Sequence, residues 1–394
     1  MIKPAERMTD IPFSGVRSIF EKALSMERSG KPVIHLEIGR PDFDTPEHIK
    51  AAACRALGEG KIHYTSNYGI PPLRRAIADK LAQENALDYS PEDEIIVTNG
   101  VSEGIMITTQ GLLNPGDEVM LLDPVFPAYE AAIRLAGGVP VPIPISCEET
   151  YQPDISDFEA RLTSRTKMLI FCNPCNPTGI TLKPATLAKI ADFAIRKDLL
   201  VVSDEIYEKI VYHGQTITSI ASLPGMRNRT ITLNGFSKTY AMTGWRIGWG
   251  IGHPEIIGGM SKIQGQSTTN PCSIAQAAAL AALSSPTDFL PKWRKAYIKK
   301  RNAMCRGLGE IPGVVCDVPD GAFYVLPSFK GVIEKMGDDA TDVGLAAYLL
   351  DEARVATVPG SAFGAPGHLR LSYATGLDVI DEAVSRIRKA VEKL

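Results

Sequence analysis

Short, almost purely apolar runs alternate along this chain with longer helical stretches, and a polar residue closes or follows each run. That alternation leaves few folds open. A strand over 94–98 leads into a helical pattern over about 103–113. A strand over 118–122 precedes a helix over about 127–136, and one over 167–171 precedes a helix over about 184–197. Strands over 199–203 and 230–233 complete the series. Strands this apolar are covered on both faces, and their alternation with helices implies a mostly parallel sheet. The expected fold is therefore α/β: a large three-layer α/β/α domain with a mostly parallel sheet, plus a smaller α+β domain. The pattern changes after Pro286, to a charged helix over 293–308, strand-like runs over 321–326, 355–360 and 368–373, and helices over 342–353 and from 378 onward. The expected division is an N-terminal segment (1–45) packing on the small domain, a large domain (46–286) and the small C-terminal domain (287–394).

The 394 residues are 44% hydrophobic and 22% charged, with a net charge of −3. That balance suits a sizeable core and offers nothing to nucleic acid or an acidic membrane surface. No apolar run reaches the roughly 18 residues of a membrane helix, and no apolar segment follows the charged start, so no signal peptide is expected. Seven scattered cysteines fit a reducing compartment, and a cytoplasmic protein is expected. Cys172 and Cys175 have CxxC spacing, but no second pair or grouped histidines accompany them. Two small buried side chains are the expectation there, not a metal or redox centre.

In open α/β sheets ligands bind outside the carboxyl ends of the strands. Ser102, Phe126, Asn173 with Asn176, Asp204 with Tyr207, and Lys238 all follow strands in that way. Arg246 stands eight positions after Lys238. An amine can form a Schiff base with an aldehyde, and a guanidinium can clamp a phosphate with a fork of donors. A carboxylate at Asp204 could hold the proton on a pyridine nitrogen, which makes the ring a better electron sink. The turn 99–104 between strand and helix could cradle a phosphate on helix N–H groups. Taken singly, these have ordinary readings: a solvated lysine, a capping aspartate, a rigid Asn-Pro turn, a half-buried tyrosine. Arg370 sits inside an apolar strand, where a charge needs a partner.

The ordered set of Tyr64, Asn173-Pro174-Cys175-Asn176-Pro177-Thr178-Gly179, Ser203-Asp204-Glu205-Ile206-Tyr207, Ser237-Lys238 with Arg246, and Arg370 resembles the class I/II aminotransferases. These are the fold-type I, pyridoxal-phosphate-dependent aspartate aminotransferase superfamily, and the resemblance runs from about Ile34 to the C-terminus. It implies pyridoxal 5'-phosphate as cofactor and a ping-pong exchange of an amino group between an L-amino acid, aspartate or another common one, and a 2-oxo acid. It implies Lys238 as Schiff-base lysine and proton shuttle, Asp204 as partner of the pyridinium nitrogen, and Tyr207 and Asn176 as partners of the ring oxygen. Arg246, Ser102, Ser237 and the N–H groups of Val101 and Ser102 would hold the phosphate, with Phe126 stacked on the ring. Arg370, Asn176 and the Gly39 backbone would bind the substrate α-carboxylate. Tyr64 would reach the phosphate of the other subunit of a homodimer. Neither a metal nor a nucleic acid nor a membrane belongs to this expectation.

The sequence departs from that family at several points. Gly235 stands where many relatives place a phosphate-binding serine. Ser102 stands where some prokaryotic aspartate enzymes carry a lysine, and 264–269 contains no arginine for a second carboxylate. Arg40 replaces a more usual Glu or Gln; an ion pair with Asp42 is the expectation, and binding of an acidic side chain the alternative. The side-chain pocket is expected from 11–17, Arg40, the partner chain and the region near Ser361. A C–S lyase using the same lysine for β- or γ-elimination is the competing enzyme. A cofactor-binding regulator is disfavoured, because the chain has no room for a DNA-binding module.

Overall fold

A computed structural model describes residues 3–11, 15–145, 151–212, 214, 216–337 and 339–394. Its centre is a seven-stranded sheet. In spatial order the strands are Ile95–Thr98, Gly248–Ile251, Thr230–Gly235, Leu200–Asp204, Thr166–Cys172, Glu118–Asp123 and Val139–Pro144. All run parallel except Gly248–Ile251, which is antiparallel to both neighbours. Alternate residues of one strand enter different cores: Val119 and Leu121 pack on one side of the sheet, Met120 and Leu122 on the other. Each such side chain contributes about 1.5–3 kcal/mol when fully buried, which is why these runs carry no polar face.

Two strands were not legible. Val139–Pro144 reads Val-Pro-Val-Pro-Ile-Pro, a run that lacks every second N–H. It lies at the sheet edge, where proline is tolerated. Gly248–Ile251 holds two glycines, which weaken the strand signal.

Beyond the large sheet, Tyr324–Val325, Leu369–Ser372 and Val358–Pro359 form a three-stranded antiparallel sheet. The strand expected over 321–326 shrinks to two residues because Ala322 adopts a left-handed φ of 53°. The helix expected over 342–353 is α-helical over Asp342–Tyr348 and π-helical over Leu349–Ala353. Helices Phe289–Gly309 and Leu377–Val391 pack together through Met304, Leu308, Val384 and Ile387. The N-terminal strand Ile34–His35 pairs in parallel with Val355–Ala356, and the Ser372 N–H donates to the Leu36 carbonyl at 2.7 Å. Those bonds carry Gly39 and Arg40 towards the carboxyl ends of the large sheet. No described helix is long and apolar enough to cross a membrane.

Candidate active site

The strand ends and the N-terminal segment enclose a cavity of about 530 Å³. Gly39, Val101, Ser102, Phe126, Asn176, Asp204, Tyr207, Ser237, Lys238, Arg246 and Arg370 all line it. Tyr64 does not, and it is 89% exposed.

Lys238 follows the strand Thr230–Gly235. Its Nζ donates to the Gly39 carbonyl at 2.6 Å and lies 5.7 Å from the ring centres of Tyr207 and Phe323. Burial, then the guanidiniums of Arg370 and Arg246, push this amine down to about 8, while Asp204 pulls the other way. A lysine so placed keeps a useful fraction of free amine near neutral pH, the form that attacks an aldehyde.

Asp204 ends the strand Leu200–Asp204 and sits in register with Leu233 and Cys172 of its neighbours. Its Oδ2 accepts from the Tyr129 hydroxyl at 2.6 Å and its Oδ1 from the Ile206 N–H at 3.1 Å. Burial pushes the carboxyl up to about 6 against the pull of these donors and of Lys238. Tyr129 was not a sequence candidate. It stands on the helix Ala128–Leu135, three residues after Phe126, which precedes that helix. The two rings meet edge to face at 5.8 Å.

The Tyr207 hydroxyl shares a 2.8 Å hydrogen bond with that of Tyr324, a residue with no local signal in its apolar run. Burial and then Tyr324 hold the Tyr207 hydroxyl well above its ordinary value, so it stays neutral. Tyr324 also explains Gly39: a Cβ there would fall 1.8 Å from its hydroxyl oxygen.

Arg370 is only 2% exposed. Its guanidinium lies 4.6 Å from the ring centre of Tyr324 and 4.9 Å from that of Phe363. Nη1 donates to Asn176 Oδ1 at 3.2 Å and Nη2 donates to the Glu37 carbonyl. Nε is buried without an acceptor. An unpaired buried charged donor is costly, and the guanidinium lines the cavity, where an entering carboxylate would meet its charge.

At the helix Val101–Leu112, Gly100 takes a φ of 80° and no side chain caps the first turn. Its first N–H groups therefore face outward beside the positive end of the helix dipole, a ready anion site. A Cβ on Gly100 would come 2.8 Å from Arg246 Nη2, so the guanidinium packs directly on that helix start. Arg246 Nη1 donates to the Thr243 carbonyl at 2.9 Å.

Gly235, the departure from the family's serine, pairs with Gly248 in the sheet. A Cβ there would lie 2.9 Å from Gly248 Cα and 3.1 Å from the Ile247 carbonyl oxygen. Backbone fills the space a serine would use. Gly235→Ser should therefore lower stability by about 1–3 kcal/mol, measured by denaturant unfolding, rather than tighten phosphate binding.

The expected Arg40–Asp42 pair does not form, because Asp42 is bonded by Lys300. Arg40 is exposed and lines the cavity, as do Arg17, from the expected 11–17 segment, and Phe20, which the sequence did not single out. Of the expected side-chain pocket, Ser361 lines a separate cavity of about 260 Å³, and 12–14 lie outside the described residues. Gln264 is buried, its Nε2 donating to the carbonyls of Asn67 at 2.7 Å and Val97 at 3.0 Å.

The family model for aminotransferase class I and II matches residues 31–387. A probable aspartate/prephenate aminotransferase of Aquifex aeolicus is 41% identical over 99% of both chains. Among solved structures, the aspartate aminotransferase of Rhizobium meliloti aligns with a TM-score of 0.96 at 39% identity over 100% of both chains. The aspartate aminotransferase of Thermus thermophilus, solved with maleate, aligns at 0.93 and 39% identity over 99% of this chain and 100% of that one. A fold-type I sheet and a full-length family match at this identity leave one conclusion: this chain belongs to the class I and II aminotransferases, enzymes that transfer amino groups.

Proposed function

We propose that the chain exchanges the amino group of an L-amino acid with a 2-oxo acid, with aspartate as the first candidate donor. Membership of the family implies pyridoxal phosphate, and the cavity's donor set fits that group. The uncapped helix start at Val101 and Ser102, with Arg246 packed on it, suits a phosphate dianion. Ser102 and Ser237 add hydroxyls to the same wall, and Phe126 offers a ring face. Asp204, buried and free of any salt bridge, suits a ring N–H⁺. Tyr207 and Asn176 suit the ring oxygen. When bound, the cofactor supplies an aldehyde and an electron sink for the carbanion left when the α-proton departs.

The rest falls to the chain's own residues. Lys238 supplies the amine, and its Nζ takes and returns the α-proton. Asp204 holds the compensating negative charge, kept in place by Tyr129. Arg370 fixes the α-carboxylate, so that the Cα–H bond presents one face to Lys238. The single observation that carries this reading is the buried Arg370 guanidinium lining the same cavity as a lysine tuned to about 8.

Arg370→Lys keeps the charge but loses the fork. One charge-assisted hydrogen bond is worth about 1.5–3 kcal/mol, so KM for every amino donor should rise roughly 10- to 100-fold. The reading itself is tested by mixing loaded enzyme with a panel of amino acids and following visible absorbance. Conversion by at least one common donor, reversed by a 2-oxo acid, is expected. Release of pyruvate and ammonia from cystathionine without an oxo acid, and no conversion by any donor, would replace it with the lyase. Tyr64, exposed at 89%, supports a homodimer in which it reaches the other subunit's phosphate. The division at about 45 and 286 is likewise our reading, supported by the separate large and small sheets.

A further inference from the structure

We propose that Cys305 and Cys316 form a redox modification site: a dithiol that a hydroperoxide oxidises to a disulfide and a thiol reductant restores. The site lies outside the catalytic cavity and stands whether or not the function proposed above holds. Both cysteines are free thiols in this structure. Cys305 sits near the end of the helix Phe289–Gly309, on the buried face that also carries Arg301, Met304 and Leu308. The chain turns back through Pro312 and Gly313, and Val315 then exchanges two backbone hydrogen bonds with Ser328, at 3.0 and 2.8 Å. That pairing fixes the run that follows the turn. Val315 is 64% exposed, so its side chain points out and Cys316 points the other way, towards the helix.

The two thiols hydrogen-bond to each other. Both sulfurs also converge on the Asp317 carbonyl oxygen, Cys305 at 3.7 Å and Cys316 at 3.8 Å. A disulfide needs its sulfurs about 2.05 Å apart, and a small approach of the turn bearing Cys316 supplies the difference while Cys305 stays on its helix. The bond from Cys316 pulls the Cys305 thiol below its ordinary value; burial resists, and the Arg301 guanidinium helps. The same bond, then burial, push the Cys316 thiol up. The roles therefore separate: Cys305 supplies the thiolate and Cys316 keeps its proton. Cys305 is 5% exposed, which favours a small hydroperoxide over a bulky disulfide as oxidant. The Cys305 thiolate attacks one peroxide oxygen, the O–O bond breaks, and Cys305 becomes a sulfenic acid as hydroxide or alkoxide leaves. The Cys316 sulfur then attacks the Cys305 sulfur, and the thiol proton and the sulfenic hydroxyl leave as water. Two electrons pass from the dithiol to the peroxide. Cys172 and Cys175 do not form such a pair. Burial pushes both thiols up, and they face the carbonyls of Pro174 and Pro124 at 3.1 and 3.8 Å.

The test treats the full-length, cofactor-loaded protein with hydrogen peroxide, blocks the remaining thiols and maps tryptic peptides without reductant. Cleavage after Arg306 puts Cys305 in peptide 302–306 and Cys316 in peptide 307–330. The expected product is one species joining the two, lighter by two hydrogens and split by dithiothreitol. The crosslink should raise the thermal unfolding midpoint by about 2–4 °C, a shift absent from Cys316→Ser. In that variant a sulfenic-acid probe such as dimedone should label Cys305, because the second thiol is gone. Three products in peroxide-treated wild type would each overturn the pair: both cysteines still open to alkylation, Cys316 oxidised while Cys305 stays a thiol, or either one joined to a different cysteine. A midpoint that falls on crosslinking would overturn it too. The wild-type peptide map decides the question even where a variant does not fold.

Discussion

Lys238→Ala is expected to abolish amino-group transfer, lowering kcat by at least about 10⁴-fold, because on the proposed function it removes nucleophile and proton carrier together. No other lysine lines the cavity among the described residues, so no neighbouring amine can take over. The fold should survive: the side chain makes one hydrogen bond, to the Gly39 carbonyl, and its removal relieves the burial of an amine. The pH behaviour identifies the group. An amine held near 8 is mostly protonated below that pH. Its free fraction, and with it the rate at which the cofactor-free chain captures pyridoxal phosphate, should rise tenfold per pH unit up to about 8 and then level. A solvated lysine, titrating at roughly 10.4, would keep the rate rising well beyond that. Stopped-flow absorbance measures this directly. In Lys238→Ala the covalent visible band should be missing at every pH. Transfer within a hundredfold of wild type would assign the chemistry to another group.

Most of the large sheet was legible because inner strands such as Glu118–Asp123 and Thr166–Cys172 are apolar on both faces, a signal that does not depend on partners far away in sequence; the glycine-rich inner strand Gly248–Ile251 lacks it. Candidates such as Asp204 and Lys238 were legible for a related reason: a parallel sheet gathers whatever follows its strands at one edge. What escaped the sequence depends on long-range packing. Tyr324 meets Tyr207 from 117 positions away, and nothing in its apolar run marks the hydroxyl as different from its neighbours. Arg40 shows the same limit in reverse. Two positions separate it from Asp42, and a local ion pair was the natural expectation. Lys300, 258 positions from Asp42, takes that carboxylate instead and leaves the guanidinium to the cavity. Gly235 looked like a lost phosphate ligand until its partner strand supplied Gly248 against it.

Asp204→Asn should separate function from stability more cleanly than any other single change. Removing one member of a buried charge pair costs about 3–5 kcal/mol. Applied to the electron-sink form of the loaded site, that lowers kcat by roughly 10²- to 10⁴-fold. The asparagine carbonyl can still accept from Tyr129 at the cost of the Ile206 N–H bond, and KM should move far less than kcat. Without cofactor the same change should stabilise the chain. The carboxyl is raised to about 6 in the folded protein, above the roughly 3.9 of an unfolded aspartate. A group raised on folding contributes most below its unfolded value and loses that contribution as pH climbs through the folded one. At pH 8 the buried, ionised Asp204 therefore opposes folding by an amount on the order of 3 kcal/mol. Thermal unfolding of cofactor-free protein should show Asp204→Asn more stable than wild type at pH 8, with the gap narrowing towards pH 5. Loading with pyridoxal phosphate should reverse the order, because only the carboxylate meets a ring N–H⁺. A cofactor-free variant that melts lower than wild type at pH 8 would mean that Asp204 is held by partners in the empty fold and does not wait there for a cation.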